Sequence, residues 1–459
     1  STLLHVLVTN LALWHSPDEV EFYLVDFKKG VEFKTYATHK LPHARVVAVE
    51  SDREFGISVL QKLDDQLKLR GELFRKLGVQ DIAGFRKASD DPMPRILLIV
   101  DEFQEFFVND DILAQEANLL LDRIVRQGRA FGVHAILGSQ TLDGAYTLGR
   151  STMGQMAVRI ALQCSEADSY IILNEDNAAA RLLSRPGEAI YNDSAGKVEG
   201  NSPFQIVWLD ENIRETQLAK IKELYNGEER EMVVYEGNTP VALVNNKAFT
   251  KAKASTNDAA PPACAAWLGA AMAIKEDTSA IFRQATANNL LIIGQQEEVT
   301  TSLIASTILS LAVQFPPDML QMTIFDGTHG DATYATLLPE IVGHIDCNAT
   351  IVGNREVGQA MQSIYDELQA RIKDGAQGKP ANFLVINGLH RFREFRRDED
   401  DFGYSMGEEE KAKTPAQIFA ELLKEGPSLG MHVIVVTDTL TNLNRSVDRQ
   451  GLREFDLRV

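Results

Sequence analysis

The sequence predicts an α/β fold in two tandem domains, each with a mainly parallel sheet flanked by helices. Short, continuous apolar runs alternate with long helical patterns, and such runs are typical of strands that are covered on both faces. The same order of runs occurs twice along the 459 residues. Because a long internal repeat indicates repeated structural units, we expect two copies of one fold.

Four apolar runs are the expected strands of the first copy. They are residues 21–25, 45–49, 96–100 and 133–137. Helical patterns lie between them, and the longest of these cover residues 53–77 and 110–130. Strands that alternate with helices predict a doubly wound sheet, in which neighbouring strands are parallel.

Three blocks of the first copy recur in the second copy in the same order. The run that ends at Asp26 matches a run that ends at Asp326, which sets an offset of 300 residues. The other matches, at offsets of 286 and 298, are 94–101 with 380–387 and 132–137 with 430–435. Small insertions and deletions explain the unequal offsets, and three ordered blocks favour a duplicated domain over chance similarity.

The join between the two copies is less regular. Late strands are expected at 187–191 and 204–209, and a charged helical stretch follows them. Residues 251–262 are rich in Ala, Thr, Ser, Asn and Pro, which indicates a linker or an exposed loop. We therefore expect a first domain over 1–212, a connecting segment over 213–270 and a second domain over 271–459, whose first strand is 289–293.

Charge and composition restrict the functional class. The chain has 46 Lys and Arg against 65 Asp and Glu, which gives a net charge of −19, whereas a protein that coats nucleic acid is usually basic. It has no apolar run long enough for a membrane span, and its 3 cysteines are far apart. These features argue against a membrane-spanning, disulfide-rich or zinc-binding chain and favour a reducing compartment.

Asp101 and Glu102 follow the apolar run 96–100. Two carboxylates at the end of a buried strand are the pattern of an ATP-hydrolysing site, in which the first supports Mg²⁺ and the second orients or deprotonates the attacking water. Taken alone, two acids at a strand end would more often be a solvated turn. Their place in a duplicated domain, beside a phosphate-loop pattern, favours the catalytic interpretation.

The repeat places a phosphate loop relative to the first residue of the chain. From Gly294, the pattern G-x-x-x-x-G-K-(S/T) puts its terminal hydroxyl at Thr301, and the offset of 300 pairs Thr301 with Ser1. Ser1 is therefore the expected Mg²⁺-binding hydroxyl of the first domain, and Thr2 follows it at the start of a helix that faces the phosphates. The Gly and Lys of this loop are expected to lie before residue 1.

The second copy lacks the residues that this chemistry needs. Val299-Thr300 stands where the loop requires Gly-Lys, and Asn387-Gly388 replaces the two carboxylates. A β-branched Val disfavours the positive φ that lets backbone N–H groups wrap a phosphate. We expect this copy not to hydrolyse ATP. Gly294 and Thr301 are then the remains of a nucleotide site that either binds nucleotide weakly or has a structural or regulatory role.

A set of segments in the first domain is recognisable as a whole. The segments are 24–30, 41–43, 77–85, 101–103, 128–134, 138–141 and the strand at Arg159 with Asp168-Ser169. The set resembles the FtsK/SpoIIIE branch of the FtsK–HerA motor ATPases over most of residues 1–195. The resemblance implies RecA-like P-loop NTPase domains that bind ATP and Mg²⁺. The chain is also similar to EccC, the type VII secretion ATPase, which strings several such domains together.

The resemblance also implies a ring-forming motor, with six subunits as the expected number. Gln140 matches the position of a polar sensor that contacts the γ-phosphate or the lytic water, and its counterpart in the second copy is Asp438. Arg129 and Arg159 match family arginines. Either arginine could act across a subunit boundary as an arginine finger, or form ordinary surface ion pairs.

Three functions remain open. The leading prediction is a DNA translocase like FtsK and SpoIIIE, with double-stranded DNA as the partner, which the motifs of the first domain favour. The second is a secretion motor like EccC, with a secreted protein as the partner, which the degenerate copy and the acidic charge favour. The third is a non-catalytic nucleotide-binding scaffold, against which Asp101-Glu102 and Gln140 argue. The resemblance implies a bacterial cytoplasmic location, with a membrane-anchored partner or a membrane region before residue 1.

Overall fold

The computed structural model describes residues 2–28, 32–140, 150–228, 230–255, 259–397 and 413–459. Its strands are β1 (Val20–Asp26), β2 (Ala44–Val49), β3 (Arg95–Asp101), β4 (Val133–Leu137), β5 (Arg159–Leu162), β6 (Glu188–Asn192), β7 (Asn201–Gln205), β8 (Val233–Glu236), β9 (Ala263–Gly269), β10 (Thr278–Arg283), β11 (Leu290–Ile293), β12 (Leu320–Asp326), β13 (Asn348–Val352), β14 (Ala381–Asn387), β15 (Met431–Thr437) and β16 (Leu457–Arg458).

The helices alternate with these strands. They are α1 (Thr2–Trp14), α2 (Lys34–Thr38), α3 (Arg53–Leu77), α4 (Ile82–Ala88), α5 (Ile112–Phe131), α6 (Arg150–Gln155), α7 (Glu166–Ile172), α8 (Glu211–Leu224), α9 (Lys247–Ala254), α10 (Glu297–Ala312), α11 (Leu337–His344), α12 (Val357–Asp374), α13 (Pro415–Glu425) and α14 (Leu440–Leu443). Within the described ranges, every helix is too short or too polar to cross a lipid bilayer.

The chain divides into two compact units. Unit 1 comprises Ser1–Pro240 and Met272–Lys275, and unit 2 comprises Val241–Ala271 and Glu276–Val459. This division differs from the boundaries expected from the sequence, which stay a prediction, because the expected connecting segment 213–270 carries structure of both units. Strand β8 adds a parallel strand to β2 in unit 1, and β9 pairs with β10 in unit 2.

Unit 1 is built on a five-stranded sheet in the order β4-β3-β1-β2-β8, in which every pair is parallel. Alternate residues of a strand point to opposite faces. Phe22 and Leu24 of β1 pack in one core with α1 and α8, whereas Tyr23 and Val25 pack in another with α3 and α5. Both faces of the sheet are therefore covered, as its continuous apolar runs predict.

The late strands of unit 1 lie outside this sheet. Strands β6 and β7 pair with β5 in a separate antiparallel three-stranded sheet. Strand β7 covers Asn201–Gln205 and therefore begins and ends a few residues before the strand expected at 204–209. The reason is the antiparallel pairing, which brings Glu188 opposite Gln205 and ends the ladder there.

Unit 2 repeats the arrangement on a parallel sheet in the order β13-β12-β14-β15-β11-β16. Its central ladder pairs Leu320–Asp326 with Ala381–Asn387 in the same register that pairs Val20–Asp26 with Arg95–Asp101 in unit 1. Strand β15 corresponds to β4, and no described strand of unit 1 corresponds to β11 beside it. The predicted duplicated α/β fold is confirmed.

A buried arginine occupies the same position in both units. Arg70 of α3 donates hydrogen bonds to the carbonyls of Pro94 and Phe131, at 2.8 and 2.7 Å, just before β3 and β4 begin. Arg371 of α12 donates to the two corresponding carbonyls before β14 and β15, at 2.9 and 3.0 Å. A buried cation is tolerated only with such partners. Each arginine therefore ties one helix to the starting ends of the two central strands.

Candidate functional site

The candidate catalytic centre of unit 1 lies where β1 and β3 end. The two strands are parallel neighbours, and their register places Asp26 opposite Asp101. Glu102 follows directly after β3. Parallel strands end at one edge of a sheet, and ligands of open α/β sheets bind beyond that edge. The fold therefore gathers three carboxylates at the position where this class of sheet binds its ligands.

Glu102 has a left-handed backbone, with φ 59° and ψ 48°. This conformation costs a residue other than Gly roughly 1 kcal/mol or more. The corresponding residue of unit 2 is Gly388, with φ 82° and ψ 55°, which adopts the conformation easily. The turn is thus common to both units, and unit 1 keeps a Glu in it despite the strain. Strain of this kind is typical of functional residues.

The two oxygens of the Glu102 carboxylate have different surroundings. Oε2 accepts hydrogen bonds from Nε2 of Gln104 at 2.6 Å and from the backbone N of Gln140 at 3.1 Å. Oε1 is buried, has no hydrogen-bond partner among the described residues, and lies 3.6 Å from Nζ of Lys28. The first oxygen is therefore anchored, and the second can accept a hydrogen bond from a water molecule.

The ionised forms of Asp26 and Asp101, at the ends of β1 and β3, are destabilised by their surroundings. Burial raises the pKa of Asp26 to about 6, and the charges of Asp101 and Glu102 add to this effect, although the backbone N of Lys28 donates to Oδ1 of Asp26 at 2.9 Å. Burial and the charge of Glu102 also raise the pKa of Asp101. Oδ2 of Asp26 is buried without a described hydrogen-bond partner. Concentrated carboxylates with open acceptor atoms fit a bound cation.

The arrangement fits Mg²⁺ held together with a nucleotide. The described part of the chain has no group of three or more His, Cys, Asp or Glu side chains that could hold a metal ion on their own. A nucleotide-bound Mg²⁺ needs no such group, because it keeps several waters and takes one or two carboxylates plus phosphate oxygens. Asp101 and Asp26 fit this role. The predicted ligand Ser1 lies outside the described residues, and Thr2 is the first residue of α1.

Gln140 lies beside Glu102. In addition to the backbone bond described above, Oε1 of Gln140 accepts a hydrogen bond from Nζ of Lys28 at 2.5 Å. Gly138, between β4 and Gln140, permits this approach, because a Cβ there would lie 3.0 Å from Oδ1 of Asp101. The end of β4 therefore brings a polar side chain to the carboxylates that end β3.

Arg129 lies in the last turn of α5, away from this centre. It lines a cavity of about 790 Å³ with Arg95 at the start of β3 and His134 near the start of β4. Burial, with the positive charges of Arg95 and Arg129, lowers the pKa of His134. A seven-residue strand spans about 20 Å, and Asp101 ends the strand that Arg95 begins. Arg129 therefore faces the edge opposite to its own catalytic centre.

Arg159 is engaged within unit 1. Its guanidinium donates to the backbone carbonyls of Met153, Met156 and Ile172 at 3.3, 3.2 and 3.3 Å, and also to that of Leu173. Burial lowers its pKa. These bonds tie β5 to the segments around α6 and α7. These contacts occupy the Arg159 guanidinium within unit 1. Its predicted role as an arginine finger stays a prediction.

The corresponding edge of unit 2 has no room for a phosphate loop. Strand β11 ends at Ile293 and α10 begins at Glu297, so only residues 294–296 connect them. A Cβ on Gly294 would lie 2.6 Å from Cγ2 of Thr300, which shows that the connection packs against the first turns of the helix. A phosphate loop needs more residues for its backbone N–H groups to surround a phosphate.

A carboxylate of the chain itself stands at the start of α10, where a helix favours an anion. Glu297 pairs with both terminal nitrogens of Arg391, each at 2.9 Å, and this hydrogen bonding lowers the pKa of Glu297. The cavity that remains beside this ion pair has a volume of about 220 Å³. Glu297 thus lies at the helix start, which is the end of a helix that favours a phosphate or another anion.

Three other polar side chains at this edge bond one another, whereas Nδ1 of His390, which also lines the cavity, is buried without a described hydrogen-bond partner. Nδ2 of Asn387 donates to Oδ1 of Asp326 at 3.2 Å and to Oγ1 of Thr328 at 3.0 Å. Thr301 is fully buried, with its hydroxyl 3.5 Å from the same nitrogen, whereas Gly294 lines the small cavity. Thr301 therefore belongs to an internally bonded cluster and Gly294 lies beside the cavity. Nucleotide binding at these two residues stays a prediction.

Three residues of the unit 1 centre were not among the predicted site residues: Asp26, Lys28 and Gln104. The position of Asp26 offered a usable signal, because it ends an apolar run as Asp101 does, and a doubly wound sheet makes the two runs neighbours. Lys28 lies in segment 24–30, which contributes to the family resemblance, but neither it nor Gln104 ends an apolar run. Their contacts with Glu102 and Gln140 arise from turns whose geometry the sequence pattern does not specify.

Comparison with known proteins agrees with this arrangement. Residues 1–143 match the model of the FtsK/SpoIIIE family. Unit 1 is therefore similar to an FtsK/SpoIIIE domain over these residues. A domain of this family implies a nucleotide and usually Mg²⁺. The predicted resemblance to FtsK-type motor ATPases, and to EccC, is confirmed.

Relatives of two kinds share sequence with the chain. DNA translocase FtsK of Streptococcus pneumoniae is 29% identical over 217 residues, which are 45% of this chain and 26% of that protein. ESX-5 secretion system protein EccC5 of Mycobacterium marinum is 29% identical over 196 residues, which are 39% of this chain and 13% of that protein. The chain therefore spans about a quarter or less of the length of these relatives.

Two solved structures share the fold over nearly the whole chain. The cytoplasmic domain of the type VII secretion ATPase EccC of Thermomonospora curvata has a TM-score of 0.63 at 19% identity, covering 100% of this chain and 54% of that one. EssC (ATPases 2 and 3) of Geobacillus thermodenitrificans has a TM-score of 0.60 at 18% identity, covering 98% and 79%. Both units therefore have the fold of tandem ATPase domains.

Proposed function

We propose that unit 1 hydrolyses ATP and that the chain is the motor part of an FtsK/SpoIIIE-type ATPase. The observation that carries the proposal is the state of Glu102. Its carboxylate is buried in a strained turn, with Oε2 anchored by two donors and Oε1 left open. A general base for water needs such an open, oriented oxygen. A non-catalytic scaffold gives no reason to keep a Glu in this turn.

In this proposal the residues of the centre have separate roles. Glu102 aligns the attacking water through Oε1 and accepts its proton. Asp101 and Asp26, with the hydroxyl of Ser1, support Mg²⁺, which when bound neutralises charge on the phosphate oxygens. Thr2 lies at the start of α1, where helix N–H groups favour phosphate.

Gln140 is the proposed sensor, because its side chain lies at the same strand end as Glu102 and offers a hydrogen bond to the γ-phosphate or to the water.

We propose a ring of identical subunits, six in number, in which Arg129 reaches the nucleotide of a neighbouring subunit. Arg129 is exposed at the edge opposite to its own centre, beside Arg95 and His134, with no acidic partner among the described residues. A cationic edge in a chain of net charge −19 suits the contact with a phosphate. Replacement of Arg129 should then remove turnover without removing ATP binding.

The proposed substrate is a protein, as in a secretion motor. The support is the tandem arrangement, since EccC and EssC share the fold across both units. Sequence coverage does not favour either substrate, because the FtsK match spans 45% of the chain and the EccC5 match 39%. The net charge of −19 also disfavours extended contact with a polyanion. We propose a cytoplasmic location by the same likeness, because the EccC structure is that of a cytoplasmic domain.

Translocation of double-stranded DNA is the second candidate. The specific observation in its favour is the match of residues 1–143 to the FtsK/SpoIIIE family together with the DNA translocase FtsK relatives. Only a local basic surface in the ring could offset the acidic charge of the whole chain.

ATP turnover separates the candidates when it is measured with the phosphate loop expected upstream of Ser1 present. Stimulation by a tail peptide of a secreted protein, with no effect of DNA, supports secretion. Stimulation by double-stranded DNA supports translocation instead. Glu102→Gln serves as the control, since stimulated turnover must disappear in that variant. Nucleotide binding without any turnover would contradict both motor proposals and favour the scaffold.

A further inference from the structure

Lys28 connects three strand ends of unit 1. It lies two residues after β1, and its backbone N donates to Oδ1 of Asp26 at 2.9 Å. Its ammonium lies 2.5 Å from Oε1 of Gln140, which follows β4, and 3.6 Å from Oε1 of Glu102, which follows β3. One side chain therefore joins the polar sensor and the carboxylate base of the proposed hydrolysis site.

The ammonium faces the open oxygen of the base without occupying it. At 3.6 Å the contact between Lys28 and Oε1 of Glu102 is an ion pair and not a hydrogen bond. Among the described residues, no other cation pairs with Asp26, Asp101 or Glu102. Lys28 therefore supplies the positive charge of a centre that is otherwise acidic, and it leaves Oε1 free to accept from water.

Unit 2 forms the same turn without the lysine. The backbone N of Thr328 donates to Oδ1 of Asp326 at 2.9 Å, the distance found between Lys28 and Asp26. The turn after the strand thus does not depend on a lysine side chain. A role of Lys28 in folding this turn is therefore not needed to explain its presence.

The interacting side chains of unit 1 are absent together from unit 2. The positions of Lys28, Glu102 and Gln140 are occupied in unit 2 by Thr328, Gly388 and Asp438. The backbone of the strands and turns is retained while all three side chains are replaced. Lys28 is therefore present in the unit that has the other site side chains and absent from the unit that has only the fold.

We propose that Lys28 is a positioning residue of the hydrolysis site, which holds the Gln140 side chain and the Glu102 carboxylate in one arrangement. The proposal rests on ATP hydrolysis in unit 1. Lys28 acts through these two residues, so its loss should reduce the rate of the chemical step more than the affinity for ATP.

The test compares Lys28→Met with Lys28→Arg in a chain that includes the phosphate loop expected before residue 1. In Lys28→Met, kcat should fall about tenfold or more while KM for ATP changes less than about twofold. Lys28→Arg should recover most of the loss, because it keeps the charge and the donors. The double variant Lys28→Met/Gln140→Ala should lose no more than the worse single variant, since the two residues act as a unit.

The matched control is Lys34→Met, which removes another half-exposed lysine of unit 1 that pairs with Glu236 at 3.0 Å. Its kcat should equal that of the wild type. An unchanged kcat in Lys28→Met, an equal loss in Lys34→Met, or additive losses in the double variant would overturn the proposal. Absence of ATP turnover in the wild type would instead overturn the proposed function itself, and this inference with it.

Discussion

The ends of the central strands differ between unit 1 and unit 2 in how their polar atoms are satisfied. In unit 1, Oδ2 of Asp26 and Oε1 of Glu102 are buried without a described hydrogen-bond partner. In unit 2, Asp326, Thr328 and Asn387 bond one another. Open acceptors are costly unless a ligand uses them. We infer that unit 1 keeps a site for a ligand, whereas in unit 2 these three side chains satisfy one another, although Nδ1 of His390 beside them is buried without a described hydrogen-bond partner.

The two units also share features that have no part in the chemistry. The seven-residue central ladder has one register in both, and the buried arginines Arg70 and Arg371 bind corresponding carbonyls. A fold can therefore be retained by backbone pairing and a few buried contacts while the residues of a catalytic edge change. A substitution at a shared feature should therefore change stability in either unit, whereas a substitution at the strand ends of unit 1 should change ATP turnover.

The largest expected effect is on turnover. Glu102→Gln keeps the shape and the backbone of the turn but removes the base, so kcat should fall by about 10²–10⁴. The measurement is steady-state ATP hydrolysis, with Glu105→Gln, a nearby acid outside the centre, as the control. If kcat of Glu102→Gln were within threefold of the wild-type value, Glu102 would not be the base, and the proposed chemical difference between the two units would be contradicted.

The next effect is on stability and should be equal in both units. Arg70→Met and Arg371→Met each leave two buried carbonyls without donors, which should cost about 2–4 kcal/mol. Hydrogen exchange should show faster opening of α3 in the first variant and of α12 in the second. Arg75→Met, on the exposed side of α3, should have little effect. If Arg371→Met changed neither the free energy of unfolding nor the hydrogen exchange of α12, the two arginines would not be equivalent.

The smallest effect is the pH dependence that Asp26 gives to unit 1. Its pKa of about 6 lies above the usual 3.8, so the folded state binds the proton more tightly than the unfolded chain. Stability from this group is therefore present below pH 3.8 and is lost as the pH rises to about 6. Asn has no carboxylate to ionise, so Asp26→Asn avoids the loss of stability that the wild type shows at high pH. The substitution should therefore stabilise the apo protein by about 1–2 kcal/mol at pH 7.5.

The matched variant in unit 2 should behave in the opposite way. Oδ1 of Asp326 accepts three hydrogen bonds, from Thr328 and Asn387, and Asp326→Asn weakens them by removing the charge. We expect a loss of about 0.5–1.5 kcal/mol. Denaturant unfolding at pH 4 and pH 7.5 measures both variants. If Asp26→Asn lowered the free energy of unfolding at pH 7.5, the ionised carboxylate of Asp26 would not be destabilising in the folded protein.

Much of the fold could be predicted from the sequence because its signals are local. The long helix at 53–77 coincides with α3, and four apolar runs coincide with β1–β4 within two residues at each end. The paired acids after β3 were visible for the same reason. Strand β8 was missed because its four residues, Val233–Glu236, carry no pattern that distinguishes them from a linker, and only pairing with β2 makes them a strand.

The remaining parts of the site depend on contacts between distant residues. Lys28 meets Gln140 across 112 residues, and Glu297 meets Arg391 across 94. No spacing in the sequence specifies such pairs, because they depend on the order of strands in the sheet. The substitutions at 299, 300, 387 and 388 predict a loss of chemistry in unit 2, but they do not reveal the ion pair of Glu297 with Arg391 at the start of α10.

The central claim is that one unit uses nucleotide and the other does not. The most direct test is the number of ATP molecules bound per chain at saturation, measured by equilibrium binding to the Glu102→Gln variant with its upstream phosphate loop and Mg²⁺ present. We predict one ATP per chain, bound by unit 1. Two ATP per chain, or binding that persists when the upstream loop is removed and is lost in Glu297→Lys, would contradict the account.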